Sequence, residues 1–247
     1  MSEYRDKALN RRIGQAIHRY QMIEDGDLVA VAVSGGADSL CLWQMMEERR
    51  RRAPIDYRVI GIHIDPGFPL EDSSRKRSGE ELRDYAKSMS YDFYYESSDI
   101  GPRAHEEGKK NPCFHCSRAR RKRLFHAHKE LGCSKLALGH NKDDIIETFF
   151  INLCQMGEVS TMVPKQELFS GAVSLIRPLA FADQKEIRAY AKNHSLPIIP
   201  SRCPSDGSSK RSFFRNFLSE LQRQNKKSKG NIFRALHRDR INLDFLL

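Results

Sequence analysis

At 247 residues the chain is long enough for one α/β domain with helical additions, and a hydrophobic share of 39% is enough to build a core. No stretch is apolar over the length a membrane span needs, and the first residues are charged, so the expectation is a cytoplasmic protein with no membrane partner. The net charge of +10 favours an anionic macromolecule, RNA before lipid, and six cysteines in that compartment read as thiols or metal ligands rather than disulfides.

In chain order, Leu9, Ile13, Ile17 and Tyr20 recur at helical spacing within residues 4–24, giving an amphipathic helix whose basic face is free for phosphates or simply solvated. Leu28 to Val33 is a valine-rich apolar run, the pattern of a strand buried on both faces of a parallel sheet. It runs into Ser34-Gly35-Gly36-Ala37-Asp38-Ser39, and a helix from about Asp38 turns Leu40, Trp43 and Met46 toward the sheet. Glycines that admit positive φ, followed by a helix N-terminus, present N–H groups and a positive dipole end to an anion. No Gly-Lys-Ser/Thr follows and the three-glycine dinucleotide spacing is missing, so neither a Walker loop nor a Rossmann fingerprint is present.

Tyr57 to Asp65 is the second strand, delivering Asp65 to the turn Pro66-Gly67-Phe68-Pro69 on the same sheet edge as the glycine loop. A helix over about 74–89, a short strand near Phe93 to Tyr95 and a polar loop over 97–112 follow. Pro112 opens a helix carrying Cys113, Cys116 and a run of arginines, with Leu124, Phe125 and Leu131 on its apolar side. Lys135 to Gly139 is a strand ending in His140-Asn141-Lys142-Asp143-Asp144; the next helix has Ile145, Ile146, Phe149, Phe150 and Leu153 to bury. Val173 to Ile176 is the last expected strand, Asp183 and Glu186 form a capping box, and residues 210–238 read as two basic helices separated at Gly230. The fold class is therefore α/β, a doubly wound five-stranded parallel sheet over residues 25–200, with an N-terminal helix (1–24) and a basic helical extension (201–247).

Cys113-x-x-Cys116 serves zinc, redox pairs and iron–sulfur clusters alike. Cys41, Cys133 and Cys154 lie in apparent core segments, where thiols are inert, and Cys203 in Pro200-Ser-Arg-Cys-Pro204 is the best exposed third candidate. Three thiolates suit a four-iron cluster with one iron open, while a zinc site completed by His115 or His140 is the alternative; the residues alone leave both standing. Asp143 and Asp144 can hold magnesium on a nucleotide beside His140, or simply cap a helix.

Ser34 to Ser39 resembles the PP-loop of ATP pyrophosphatases, in which the positions of Ser34, Gly35, Gly36, Asp38 and Ser39 cradle phosphates. From about Arg11 onward the chain resembles the tRNA 2-thiocytidine synthetase family, through Ile13-Gly-Gln-Ala-Ile17, Asp65-Pro-Gly-Phe-Pro69, Cys113-x-x-Cys116-Ser-Arg118, Gly139-His140 with Asp143-Asp144, Ile176-Arg-Pro-Leu179 and Pro197-Ile-Ile-Pro200. That resemblance implies ATP with Mg2+, nucleotide contacts at Asp65 and Gly139, catalytic roles for Asp38, His140, Asp143 and Asp144, and a [4Fe-4S] cluster on Cys113, Cys116 and Cys203. It also implies tRNA as substrate, with the arginine helix and terminal helices on its phosphates, a sulfur donor such as a cysteine desulfurase system, and a homodimer. The implied reaction adenylates the 2-oxo group of an anticodon-loop cytidine, releases pyrophosphate and installs sulfur. Two departures stand out: Ala37 where many members carry lysine, and Cys203 outside a second Cys-x-x-Cys. Two rivals share parts of the pattern. A lysidine synthetase also matches His140 to Thr148, and a non-catalytic nucleotide- and RNA-binding module needs only the loop and the charge.

Overall fold

The computed structural model describes residues 2–69, 77–106, 110–205 and 210–236. Its centre is a six-stranded sheet of β1 (Leu28–Ala32), β2 (Arg58–Asp65), β3 (Asp92–Ser97), β4 (Lys135–Ala137), β5 (Lys165–Leu168) and β6 (Val173–Ile176), in the order β3-β2-β1-β4-β6-β5. The five expected strands are there and run parallel; β5 is a correction, an antiparallel edge strand paired to β6. Its sequence, Lys-Gln-Glu-Leu, has no β-branched residue and no alternation to betray it. The pairing is instead set by the reversal at Phe169, Ser170 and Gly171, all at positive φ.

Alternation along β1 distributes the core. Val29, Val31 and Val33 face Leu9 and Ile13 of α1 (Ser2–Arg19), Leu40, Trp43 and Met46 of α2 (Ala37–Arg50), and Ile187 and Tyr190 of α7 (Gln184–Asn193). Ala30 joins Ile62, Ile64, Leu136 and Val173 on the other face, under Ala127, Leu124 and Phe125 of α5 (Pro112–Glu130). Helices on both faces bury Val29, Ala30 and Val31 at the centre of the sheet completely, which is why β1 carries no polar residue. From β1 the chain winds outward to β2 and β3, then returns to place β4 on the other flank. The resulting crevice lies beyond the carboxyl ends of β1 and β4.

The remaining helices are α3 (Ser78–Met89), α4 (Ile100–Ala104), α6 (Lys142–Met156), α8 (Lys210–Gln224) and α9 (Ser228–Leu236), with a 3-10 turn at Pro178–Phe181. Several expected boundaries shift. The helix expected over 4–24 ends at Arg19, because Gln21 turns left-handed and Met22 N–H donates back to Ile17 O at 3.0 Å. The segment 97–112 holds the short α4 rather than loop throughout. The α8–α9 break falls at residues 225–227, where the Asn225 side chain accepts the Lys227 N–H at 2.9 Å, and Gly230 lies inside α9. Cys154 is exposed rather than core, and Leu153 is half-exposed, because α8 covers only the face of α6 on which Phe150 meets Phe214 and Phe217. Residues 74–76 of the expected third helix and 237–238 of the last lie outside the described residues. Among the described residues no helix is long and apolar enough to cross a membrane.

Candidate active site

The glycine loop is held open by its own two serines. Ser39 Oγ donates to Gly36 O (2.9 Å) and accepts the Ser34 N–H (3.0 Å), while Ser34 Oγ accepts the Gly36 N–H (3.3 Å) and meets Ser39 Oγ at 3.0 Å. Gly35 sits at φ +87°, and its carbonyl accepts the Ile199 N–H at 3.0 Å. Gly36 caps α2 without a side-chain bond, so the first-turn N–H groups of the helix point into the crevice with no internal partner. At the end of β4, a Cβ on Gly139 would stand 3.1 Å from the backbone of Asp38 and Ser39; glycine there lets the end of β4 close on the first turn of α2.

Asp38 is the loop's acid. Burial, and then the neighbouring Asp144, push its carboxyl up to about 6, although Asn141 Nδ2 donates to it at 3.3 Å. Asn141 is fully buried and caps α6, its Oδ1 accepting the N–H groups of Asp143 (2.9 Å) and Asp144 (3.1 Å). The two aspartates part company at that cap. Asp144 turns toward Asp38, accepts the Asn141 N–H at 3.0 Å and pairs with Arg211 at 3.6 Å. Asp143 turns away, to Lys229 at 2.7 Å and the Gln184 N–H at 2.8 Å. One turn along α6, Glu147 is buried and holds Arg215 at 3.0 Å and Arg211 at 3.8 Å, so α8 is clamped over the acidic end of α6.

His140 follows Gly139. Burial and the guanidiniums of Arg177, Arg211 and Arg121 hold its imidazole down to about 3, so the ring is neutral and its Nδ1 accepts from Arg177 Nε at 3.3 Å. Asp65, buried at the end of β2, shapes its own turn: Oδ1 accepts the Gly67 N–H at 2.8 Å, and its backbone carbonyl accepts Ser98 Oγ at 2.6 Å.

Ser34, Gly36, His63 and Asp65 line a cavity of about 300 Å³ whose other wall carries Arg120, Cys116, Arg202 and Cys203. Cys113 joins from the exposed first turn of α5, and all three thiols are free. Burial pushes the Cys116 thiol up, opposed by Arg120 and reinforced by the nearby Cys203 and Cys113 sulfurs. His105 Nε2 stands 3.9 Å from Cys203 Sγ. Among the described residues no three His, Cys, Asp or Glu side chains are gathered tightly enough for one metal ion. A four-iron cube spaces its ligands more widely, and an all-sulfur donor set is what iron–sulfur clusters take. His115 and His140, the expected completions of a zinc site, lie elsewhere: His115 borders a separate cavity and His140 is bonded to Arg177.

The crevice therefore brings together Ser34, Gly35, Gly36, Asp38, Ser39, Gly139, His140 and Asp144, with Asp65 beside the loop, Cys116 and Cys203 lining the same cavity and Asp143 on the far side of α6. Sequence reasoning passed over Asn141, Arg177, Arg211 and Arg215. For Asn141 a signal existed, since Asn141 with Asp144 three residues on is itself a capping-box pattern.

A glycine loop after the first strand, beside an acidic helix start at a sheet reversal, defines a nucleotide-phosphate-binding α/β protein. The chain belongs to the PP-loop family, whose domain model matches residues 6–222. Within it the relatives are tRNA-cytidine(32) 2-sulfurtransferases. The chain is 37% identical over 239 residues to the one from Polynucleobacter asymbioticus, covering 94% of this chain and 76% of the relative. It is 38% identical over 238 residues to tRNA-cytidine(32) 2-sulfurtransferase 1 of Francisella tularensis, covering 94% and 85%. Among solved structures, the U34-tRNA thiolase NcsA from Methanococcus maripaludis, described with its [4Fe-4S] cluster, shares the fold, with TM-score 0.78 at 24% identity over 96% of this chain and 79% of that one.

Proposed function

We propose that the protein is an ATP-dependent tRNA sulfurtransferase that replaces the 2-oxo group of the anticodon-loop cytidine at position 32, the nucleotide named for its relatives, with sulfur. The observation that carries this reading is the shared cavity: the glycine loop forms one wall and two of the three thiols the other. One base inserted there meets the nucleotide and the sulfur chemistry in turn.

The 2-oxo oxygen is a poor leaving group, so it attacks the α-phosphorus of ATP; the bond to pyrophosphate breaks, and the base becomes an adenylate. The first-turn N–H groups of α2 and the hydroxyls of Ser34 and Ser39 hold the departing pyrophosphate. Asp38 and Asp144 face each other at the loop and would hold Mg2+ there, the cation offsetting the burial and then the Asp144 charge that raise the Asp38 carboxyl. Neutral His140, its Nδ1 occupied by Arg177, presents an Nε2–H donor for the base or phosphate. Cys113, Cys116 and Cys203 would hold a [4Fe-4S] cluster, which when bound supplies an open iron for sulfide. Sulfur then displaces AMP, which leaves with the original oxygen. Arg120 of α5 lines the cavity and the exposed Arg118 and Arg121 of the same helix add charge for the tRNA backbone, and an unpaired loop base can be splayed inward. On this reading the protein works in the cytoplasm, as a homodimer, with a cysteine desulfurase system supplying sulfur.

The test is anaerobic purification with visible spectroscopy, iron and sulfide analysis, and single-turnover thiolation of tRNA with ATP. A coloured protein whose iron and turnover are both lost in Cys113→Ser supports the assignment. A colourless, zinc-loaded and fully active protein overturns the cluster. A Cys113→Ser variant that still releases pyrophosphate and modifies tRNA overturns the sulfur chemistry in favour of a nitrogen nucleophile, as in a lysidine synthetase.

A further inference from the structure

A second cavity, of about 420 Å³, has no part in that scheme. It lies between the N-termini of α6 and α7 and the α8–α9 turn, on the β4–β6 flank, and shares no lining residue with the thiol cavity. Lys142, Lys185 and Arg188 enter it from α6 and α7; Lys226, Lys227, Lys229 and Arg234 enter from the opposite wall. Among the described residues only two carboxylates share the lining with these seven cations, and both are already satisfied; Asp38 acts on Arg188 from outside it. Asp143 accepts from Lys229 and the Gln184 N–H; Asp183 accepts from Arg12 at 2.7 Å and Lys142 at 3.0 Å. Burial raises the Asp183 carboxyl, but Arg12 and Lys142 outweigh it and hold the group low, so it stays an anion committed to those two partners. Among the described residues Lys185, Arg188, Lys226 and Lys227 form no salt bridge.

We propose that this cavity binds backbone phosphates of the tRNA outside the anticodon stem-loop, so that the substrate is gripped at two separated places. The inference rests on the tRNA reading above and adds to it which part of the RNA meets which surface. The lining decides between occupants. Among the described residues it is lined by no aromatic or aliphatic side chain, whereas a protein partner would be anchored by just such groups. A free nucleotide would find no aromatic ring in this lining on which to stack its base. A phosphate backbone needs only cations and amide donors, and contacts of this kind position an RNA without reading its sequence.

The experiment compares full-length tRNA with the isolated anticodon stem-loop, each titrated against wild-type protein and the Lys185→Gln/Lys226→Gln/Lys227→Gln variant over a series of salt concentrations. For full-length tRNA the slope of log K against log salt is expected to fall by about 2–3, roughly one per cation removed, with affinity at least about tenfold weaker. Stem-loop and ATP affinities are expected to stay at wild-type values. A Lys226→Arg/Lys227→Arg control is expected to keep the wild-type slope, which separates lost charge from a damaged fold. An unchanged slope with full-length tRNA overturns the inference, and so does equal weakening of both RNAs. A loss confined to ATP or to an acidic protein partner also overturns it, assigning the cavity to that occupant. Wild-type protein that binds no tRNA at all would remove the thiolation reading as well, an outcome distinct from every other.

Discussion

Asn141 joins Asp38 across 103 residues of chain: its Nδ2 reaches the Asp38 carboxylate at 3.3 Å while its Oδ1 caps the first turn of α6. One buried amide thus fixes the loop acid relative to the helix that carries Asp144. Asn141→Ala leaves two N–H groups of α6 without their acceptor and Asp38 without its donor. The expected cost is about 1–3 kcal/mol of stability by urea denaturation, together with weaker ATP binding by calorimetry. A cost below about 0.5 kcal/mol, within the range of ordinary surface substitutions, would show that the tie is dispensable.

Asp38 carries a stability penalty in exchange for its position. Its folded-state carboxyl lies at about 6 against an ordinary 3.8, from burial and then Asp144. The folded protein therefore holds a proton that the unfolded chain has released between those values, and the cost of ionising it is fully present above pH 6. Asp38→Asn is expected to gain about 1–3 kcal/mol at pH 8, a figure reduced for the solvent still reaching the group and for the altered bond to Asn141. The gain should shrink as pH falls through 6 and vanish near 4, while pyrophosphate release is lost. Chemical denaturation at three pH values reads the first effect. A gain over wild type that is the same at pH 8 and pH 4 contradicts it.

His140 should not titrate in the range where histidines usually do. Burial and three guanidiniums hold it near 3, against an ordinary 6.5. As pH falls below 6.5 the unfolded chain gains a proton that the folded protein refuses, so stability declines from there toward pH 3. Imidazole proton shifts followed by NMR from pH 5 to 8 should stay flat for His140, and His140→Gln should lose its part of the acid decline. An inflection between pH 6 and 7 would mean that the ring is neither buried nor surrounded by the three guanidiniums as described.

The parts of this molecule legible in its sequence are those where one local rule dominates. The valines of β1, the serines and glycines of the loop, and Leu40, Trp43 and Met46 on α2 each obey a single period or turn rule, and all fell where expected. What escaped depends on partners distant in the chain. β5 is a strand only because β6 pairs with it, and Leu153 stays half-exposed because α8 covers a different face of α6. Asp143 and Asp144 look equivalent in sequence; Lys229, 86 residues further on, draws one away from the loop. Cys113, Cys116 and Cys203 could be nominated by type and context, but that Cys116 and Cys203 share a cavity with Ser34 comes from α5 packing on β2 and from Ile199 bonding to Gly35, which no spacing reveals.

The bond from Ile199 N–H to Gly35 O has a consequence for how this protein can be cut or rebuilt. Cys203 follows only four positions after that anchor, a tether of at most about 14 Å even when drawn straight. Phosphate cradle and third thiol are therefore leashed to one another by the polypeptide itself, whatever the surrounding helices do. Circular permutation or proteolysis between 199 and 203 would unhitch the two, and a chain opened there could keep its hydrophobic interior intact while losing the register between them.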